Sequence, residues 1–186
     1  MDDNDITRLL CAAQRGDRTG YEAFVHATQA SLHRLLTYLV DAGTAEDLTQ
    51  ETYLRAFTAL PRYEARSPAR LWLFAIARRV AADHFRASHR RPRHHRTDDW
   101  AAAAERRGMS APAPDSTVSL RLAIADLHSD RREAFVLTQM LGLSYDEAAK
   151  VCGCATGTIR SRVFRARTDL VAALSPVDEL RHESRI

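Results

Sequence analysis

The stretch ATGTIRSRVFRAR, residues 155–167, carries Arg160, Arg162, Arg165 and Arg167, no acid, and only Ile159, Val163 and Phe164 as bulky apolar side chains. Guanidinium groups bind phosphate oxygens by charge and grip the acceptor edge of guanine through paired hydrogen bonds. A helix built this way suits a nucleic-acid groove, with a plainly solvated basic face as the alternative. A second basic run lies at 66–96, where nine arginines face one acid, Asp83. Residues 41–51 are the opposite: Asp41, Glu46, Asp47 and Glu51 with no basic residue. That segment would repel phosphates, so it is either a solvated face or a contact for a protein. The net charge of +3 averages over these blocks and hides them.

Other chemistry is poorly supplied. Cys152 and Cys154 with His94 and His95 suggest a metal, but C-x-C falls inside a tight turn and zinc spacing is missing. No metal and no cofactor is expected. Phosphate loop, nucleophile elbow and paired acids are all missing, so no catalytic residue is assigned and an enzyme is not expected. Cys11, Cys152 and Cys154 make no disulfide framework and read as reduced thiols. The chain has no run of 18 apolar residues and starts acidic, which favours a cytoplasmic protein.

These charges need elements to hold them. Residues 1–86 read as consecutive helices: a short start at LLCAAQRG closed by Gly16, then YEAFVHATQASLHRLLTYLV, then AEDLTQETYLRAFTAL. Asp41-Ala-Gly43 is expected to stop the second, with Thr44 capping the third; Leu48, Thr52, Phe57 and Leu60 lie near one face of that helix. Pro61 ends it. ARLWLFAIARRVAADHFR follows, packing Leu71, Trp72, Ala75, Ile76, Val80 and Ala81. From 87 to 117 periodicity fails, apart from WAAAAERR, and the segment reads as a flexible basic, proline-containing tether. Helix returns over 118–174, broken around His128–Asp130, before a tail at 175–186.

The last two helices form a recognisable unit. Ser144 with Glu147 makes a capping box. Ala149 offers a small side chain for a close crossing, Gly153 tolerates positive φ in the turn, and Ile159 faces back from the second helix. This is helix-turn-helix spacing. Ile159, Val163 and Ala166 or Leu170 point inward, and Thr156 is the expected cap. Thr158, Arg160 and Ser161 are candidates for base readout; Arg162, Arg165 and Arg167 are candidates for phosphate contact. The fold class expected is all-α, with two small helical domains joined by a flexible linker and a helix-turn-helix in the second.

On these motifs the chain resembles the extracytoplasmic-function group of bacterial sigma factors, with a lean toward actinobacterial members. GLSYDEAAKVCGCATGTIRSRVFRAR at 142–167 is similar to the family's fourth region, AEDLTQETYLRAF at 45–57 to its core-docking segment, and ARLWLFAIARRVAADHFR at 69–86 to its minus-10 helix. The resemblance implies that Glu46, Asp47, Gln50 and Glu51 dock on the clamp helices of the beta-prime subunit of RNA polymerase core. It implies minus-35 DNA for the basic helix, minus-10 DNA for the first domain, and an anti-sigma factor as a further partner. Arg62, Tyr63 and Arg66 in the 61–67 loop are candidates for holding the non-template strand; Tyr63 either stacks on a base or packs over the next helix. Arg78, Arg79 and Arg86 are candidates for phosphates or duplex edges. The chain departs from the family pattern at Arg79, at Ala155 and at His128, where asparagine, proline and proline are usual. A two-domain helix-turn-helix regulator that does not dock on polymerase is the alternative function.

Overall fold

The computed structural model describes residues 1–90 and 116–175. Most of the tether expected over 87–117, with its WAAAAERR segment and His94 and His95, and the tail from 176 onward lie outside the described residues. Within them there are helices and turns and no strand.

Helix α1 spans Asp3–Gln14, starting well before the expected LLCAAQRG segment. Asp2 and Asp5 explain the early start. The Asp2 carboxylate accepts the Asp5 N–H at 2.7 Å, and the Asp5 carboxylate accepts the Asp2 N–H at 3.4 Å. This is a capping box with aspartate doing the work of glutamate. Helix α2, Arg18–Leu39, follows a turn at Gly16 and is capped by Asp17. A Cβ on Gly20 would sit 3.0 Å from the Ala12 Cβ and 3.1 Å from the Leu9 carbonyl oxygen, so glycine lets α1 and α2 cross closely.

Helix α3, Ala42–Ala59, is capped by Asp41 and not by Thr44. The Asp41 carboxylate accepts the Thr44 N–H at 2.9 Å, which places Thr44 inside the first turn. Pro61 sits in a single 3-10 turn, Leu60–Arg62, that ends α3. Helix α4, Ala69–Arg90, runs beyond the expected end at residue 86 because no breaker precedes Pro92.

The second half contains α5 (Ser116–Asp126), α6 (Ser129–Phe135) with a π turn over Val136–Met140, α7 (Tyr145–Cys152) and α8 (Thr156–Leu174). α6, α5 and α7 all pack on α8.

The halves are not separate in space. α4 packs against α1, α2 and α3 on its own side and against α7 across the boundary, and α2 touches α6. Coverage from both sides explains the uninterrupted apolar run at 71–77. Leu71, Ile76, Val80 and Ala81 are buried as their spacing predicts, and Leu73 and Phe74 are fully buried although they lie off that face. Trp72 and Ala75 are only half-buried. On α3 the expectation for Phe57 fails: Thr52, Ala56 and Leu60 are buried, but Phe57 is 59% exposed, its ring edge-on to Tyr21 at 5.2 Å. Phe57 falls one residue beyond the buried 52–56 stripe and looks outward.

Candidate nucleic-acid and protein interfaces

The helix-turn-helix forms at the expected residues. The Ser144 hydroxyl accepts the Glu147 N–H at 3.2 Å, and the Glu147 carboxylate accepts the Ser144 N–H at 2.8 Å. The Ser144 N–H first, and second its hydroxyl, which donates to the same carboxylate at 2.8 Å, hold the Glu147 carboxyl below the ordinary carboxylate value. Gly153 ends α7 with φ +66°, and its N–H returns to the Ala149 carbonyl. Ala149 is buried at the crossing; Ile159, Val163, Ala166 and Leu170 are all buried on the inner side of α8. The cap of α8 differs from expectation. Ala155 occupies the cap position and gives no side-chain bond, while the Thr156 hydroxyl is spent on Asp146 at 2.7 Å.

The outer side of α8 is basic but not uniformly available. Arg160, Ser161, Arg165 and Arg167 are exposed and Thr158 is half-buried. Arg167 reaches back to the Gln139 side-chain oxygen at 2.6 Å. Arg162 corrects the reading from spacing alone: it pairs with Asp130 of α6 at 2.6 Å and keeps only 22% of its side chain exposed. Its charge is paired within the second half in the free chain. Arg131 is tied to Asp169 in the same way, at 2.6 Å. Phe164 stands 71% exposed among the arginines, on the outward side.

In the first half, Arg62, Arg66, Arg79 and Arg86 are exposed. Arg66 pairs with Glu64 at 2.6 Å, and Arg86 pairs with Asp83. Asp83 also takes Arg55 at 2.6 Å, and Arg55 followed by Arg86 holds its carboxyl below the ordinary range. Tyr63 takes the packing alternative. It is 6% exposed, its ring lies 5.0 Å from Trp72, and its hydroxyl donates to the Ser67 carbonyl at 2.7 Å. That ring is packed away, which leaves Arg62, Glu64 and Arg66 as the loop's exposed charged side chains.

Arg78 points across the boundary between halves. Its Nε lies 2.6 Å from a carboxylate oxygen of Glu133, which is buried. Burial pushes the Glu133 carboxyl up, and Arg78 offsets only part of the cost. Nearby, Arg132 bonds the carbonyls of Leu39, Ala125 and Leu127. Arg78, Arg79, Phe85, Arg86, Arg132 and Glu133 line a cleft of about 650 Å³ between the halves. Nothing in single-sequence periodicity signals Glu133, because a glutamate on a short charged helix reads as solvated.

The acidic segment forms the outer face of α3. Glu46, Asp47 and Gln50 are exposed, and Glu51 is half-buried with Arg55 at 2.7 Å. Leu54, 64% exposed, extends this stripe one turn onward, and Phe57 flanks it. A polar stripe ending in exposed apolar side chains is what a protein contact wants: charge for registry and burial for energy. Glu51, Leu54, Arg55, Thr58 and Arg62 also edge a shallow depression of about 390 Å³.

Among the described residues, no group of three or more His, Cys, Asp or Glu could hold a metal ion, and no helix is long and apolar enough to cross a membrane. Cys152 is buried, which pushes its thiol up to about 12.

Comparison with known proteins follows the same division. The family model of Sigma-70 region 2 matches residues 24–91, and that of Sigma-70, region 4 matches residues 117–170. A probable RNA polymerase sigma-C factor from Mycobacterium bovis is 50% identical over 179 residues, covering 95% of each chain. The ECF RNA polymerase sigma-E factor of Escherichia coli is 30% identical over 179 residues, 91% of this chain and 94% of that one. The sigma factor RpoE of Bartonella quintana, solved in complex with the anti-sigma factor NepR, superposes with a TM-score of 0.67 at 28% identity over 85% of this chain and 98% of that chain. CnrH, solved with the cytosolic domain of CnrY, gives a TM-score of 0.71 at 25% identity over 95% of this chain and 100% of that chain.

Proposed function

The chain belongs to the extracytoplasmic-function sigma factors of the sigma-70 family and directs transcription initiation as an alternative sigma factor; from that premise we propose which surfaces do the work. The α3 stripe of Glu46, Asp47, Gln50 and Glu51 docks on the clamp helices of the beta-prime subunit of RNA polymerase core, with Leu54 and Phe57 supplying apolar area. The outer side of α8 reads the minus-35 element through Thr158, Arg160 and Ser161 and holds phosphates through Arg165 and Arg167. Arg62, Arg66, Arg79 and Arg86 bind the minus-10 region. An anti-sigma factor is a further partner, and the protein acts in the cytoplasm.

The domains are 1–86 and 118–174, joined by 87–117. Two promoter elements about 25 base pairs apart are separated by about 85 Å of B-form duplex. The 25 residues between the end of α4 and the start of α5 can span at most about 80–90 Å, which matches that separation once the halves part. Parting also releases Arg78 from Glu133. Each site is weak alone, and linkage raises the effective concentration of the second contact.

The observation that carries the docking assignment is the exposed stripe Asp47, Gln50 and Leu54 on one helix face, acidic at its start and apolar at its end. A regulator that only binds DNA has no use for it. The test is gel filtration of purified chain with polymerase core in the absence of DNA. Wild type should co-elute with core, and a chain carrying Asp47→Lys and Gln50→Lys should not. Undiminished co-elution of the double variant sinks the assignment.

A further inference from the structure

We propose that α1 braces the loop from residue 60 to residue 69 and that Gln14 is a positioning residue for capture of the unpaired non-template strand. The inference rests on the reading that this loop, through Arg62 and Arg66, holds that strand. It goes further by assigning a role to a helix outside the matched region, which begins at residue 24.

The loop has little structure of its own. It contains one 3-10 turn, two prolines and Ala65 at φ +54°, a backbone state that side chains with a Cβ seldom adopt. Such a segment keeps one shape only if its surroundings fix it. α1 does so at both ends. At the start, the Gln14 side-chain amide donates to the Leu60 carbonyl at 3.0 Å and the Tyr63 carbonyl at 2.8 Å. At the end, the Thr7 hydroxyl accepts the Ala69 N–H at 3.0 Å, and Asp3 takes the Arg70 guanidinium at 2.9 Å and 3.1 Å.

Asp3, Thr7 and Gln14 lie four and seven residues apart, which puts them on one stripe of α1. The adjoining stripe, Ile6 and Leu10, is buried in the core. α1 therefore has one face that anchors it and one whose polar groups are all committed to this loop and the first turn of α4. Between the two fastenings Tyr63 is locked against Trp72 and bonded to the Ser67 carbonyl. Arg62 and Arg66 are left exposed on a loop held at both ends.

Capture of a base competes with re-pairing of the duplex, so a loop that must be ordered at the moment of capture gives up part of its binding energy. Gln14 is itself exposed and contributes nothing to the apolar core, so the fold tolerates the loss of its bonds. The loop's order is what suffers.

The experiment uses holoenzyme reconstituted from polymerase core and the full chain. Gln14→Leu keeps the size and removes both donors. Thr7→Val releases the other end and stands in if Gln14→Leu does not fold. Two templates are compared: a duplex promoter, and the same promoter with its minus-10 region already unpaired by mismatch. Strand opening is read by permanganate reactivity of thymines. Affinity for core should stay within about twofold, opening of the duplex should slow by about tenfold, and the mismatched template should recover most of the loss. A general folding defect would lower both templates equally, and that result overturns the proposal. A chain with Arg62→Ala and Arg66→Ala separates the two layers. If it opens duplex normally, the loop does not hold the strand and the premise falls. If it is slowed while Gln14→Leu and Thr7→Val are not, the loop acts without the brace and this inference alone is wrong.

Discussion

Replacing Gly153 by alanine isolates one backbone dihedral from every other effect in the helix-turn-helix. Gly153 sits at φ +66°, and a Cβ built on it meets nothing within 4 Å, so steric crowding contributes nothing. What remains is the intrinsic cost of a left-handed residue bearing a Cβ, about 1–2 kcal/mol. For a chain of this length that corresponds to a fall of roughly 2–8 °C in Tm. Asparagine tolerates the same dihedral better and should cost less. Gly157 is the internal control: it lies in the first turn of α8, is exposed, and also has open space where a Cβ would go. Gly157→Ala should stabilise by about 0.5 kcal/mol. The assay is thermal denaturation by circular dichroism, with minus-35 duplex binding measured well below Tm. Gly153→Ala should bind within about twofold of wild type there, because the turn keeps its shape at a cost. Equal melting of the Gly153→Ala and Gly157→Ala chains would refute the reasoning. So would a loss above about 3 kcal/mol, which would mean that the turn is crowded and not merely left-handed.

Three further outcomes follow from named side chains. Arg162→Ala should lower stability, not minus-35 affinity, and a double-mutant cycle with Asp130→Ala should give a coupling of about 0.5–1 kcal/mol, since the pair is only partly exposed. A coupling of zero removes the pair from the packing account. Arg160→Ala should relax preference at one base position of the minus-35 element, whereas Arg165→Ala should weaken all sequences alike and reduce the salt slope by about 1; the reverse pattern, read from binding at several salt concentrations, exchanges their roles. Glu133 faces Arg78, Asp130 and Arg162, and burial raises its pKa from 4.5. Its contribution to stability is therefore fully present below 4.5 and is lost as pH rises through the raised value. Tm against pH for wild type minus Glu133→Gln should fall across that window, and a difference that rises with pH contradicts the burial.

What spacing carried well was local. Ser144, Glu147, Ala149, Gly153 and Ile159 lie within sixteen residues and make their contacts with each other, so their types and intervals determine the turn. The exposed acidic face of α3 was legible for a similar reason, since one helix face needs only its own periodicity. Starts of helices were less secure: Asp5 serves in a capping box where glutamate is usual, and Asp41 caps a helix from a position that reads as a stop. The remaining misses depend on residues far apart in the chain. Leu73 and Phe74 are buried on a helix, α4, that packs against elements of both halves. Arg78 and Arg162 look like free cations until Glu133 and Asp130 are brought beside them. Tyr63, open to two fates from its sequence context, is fixed by Trp72 and by the loop that α1 holds.

Run-off transcription by polymerase core reconstituted with this chain, on a pool of promoters varied at both elements, tests the account most directly. Docking through α3 and reading through both halves predict initiation from a narrow subset of the pool. That subset should be enriched at the minus-10 and minus-35 positions together and lost when Asp47 and Gln50 become lysine. Initiation spread evenly over the pool, or a narrow subset that survives the lysine substitutions, would contradict it.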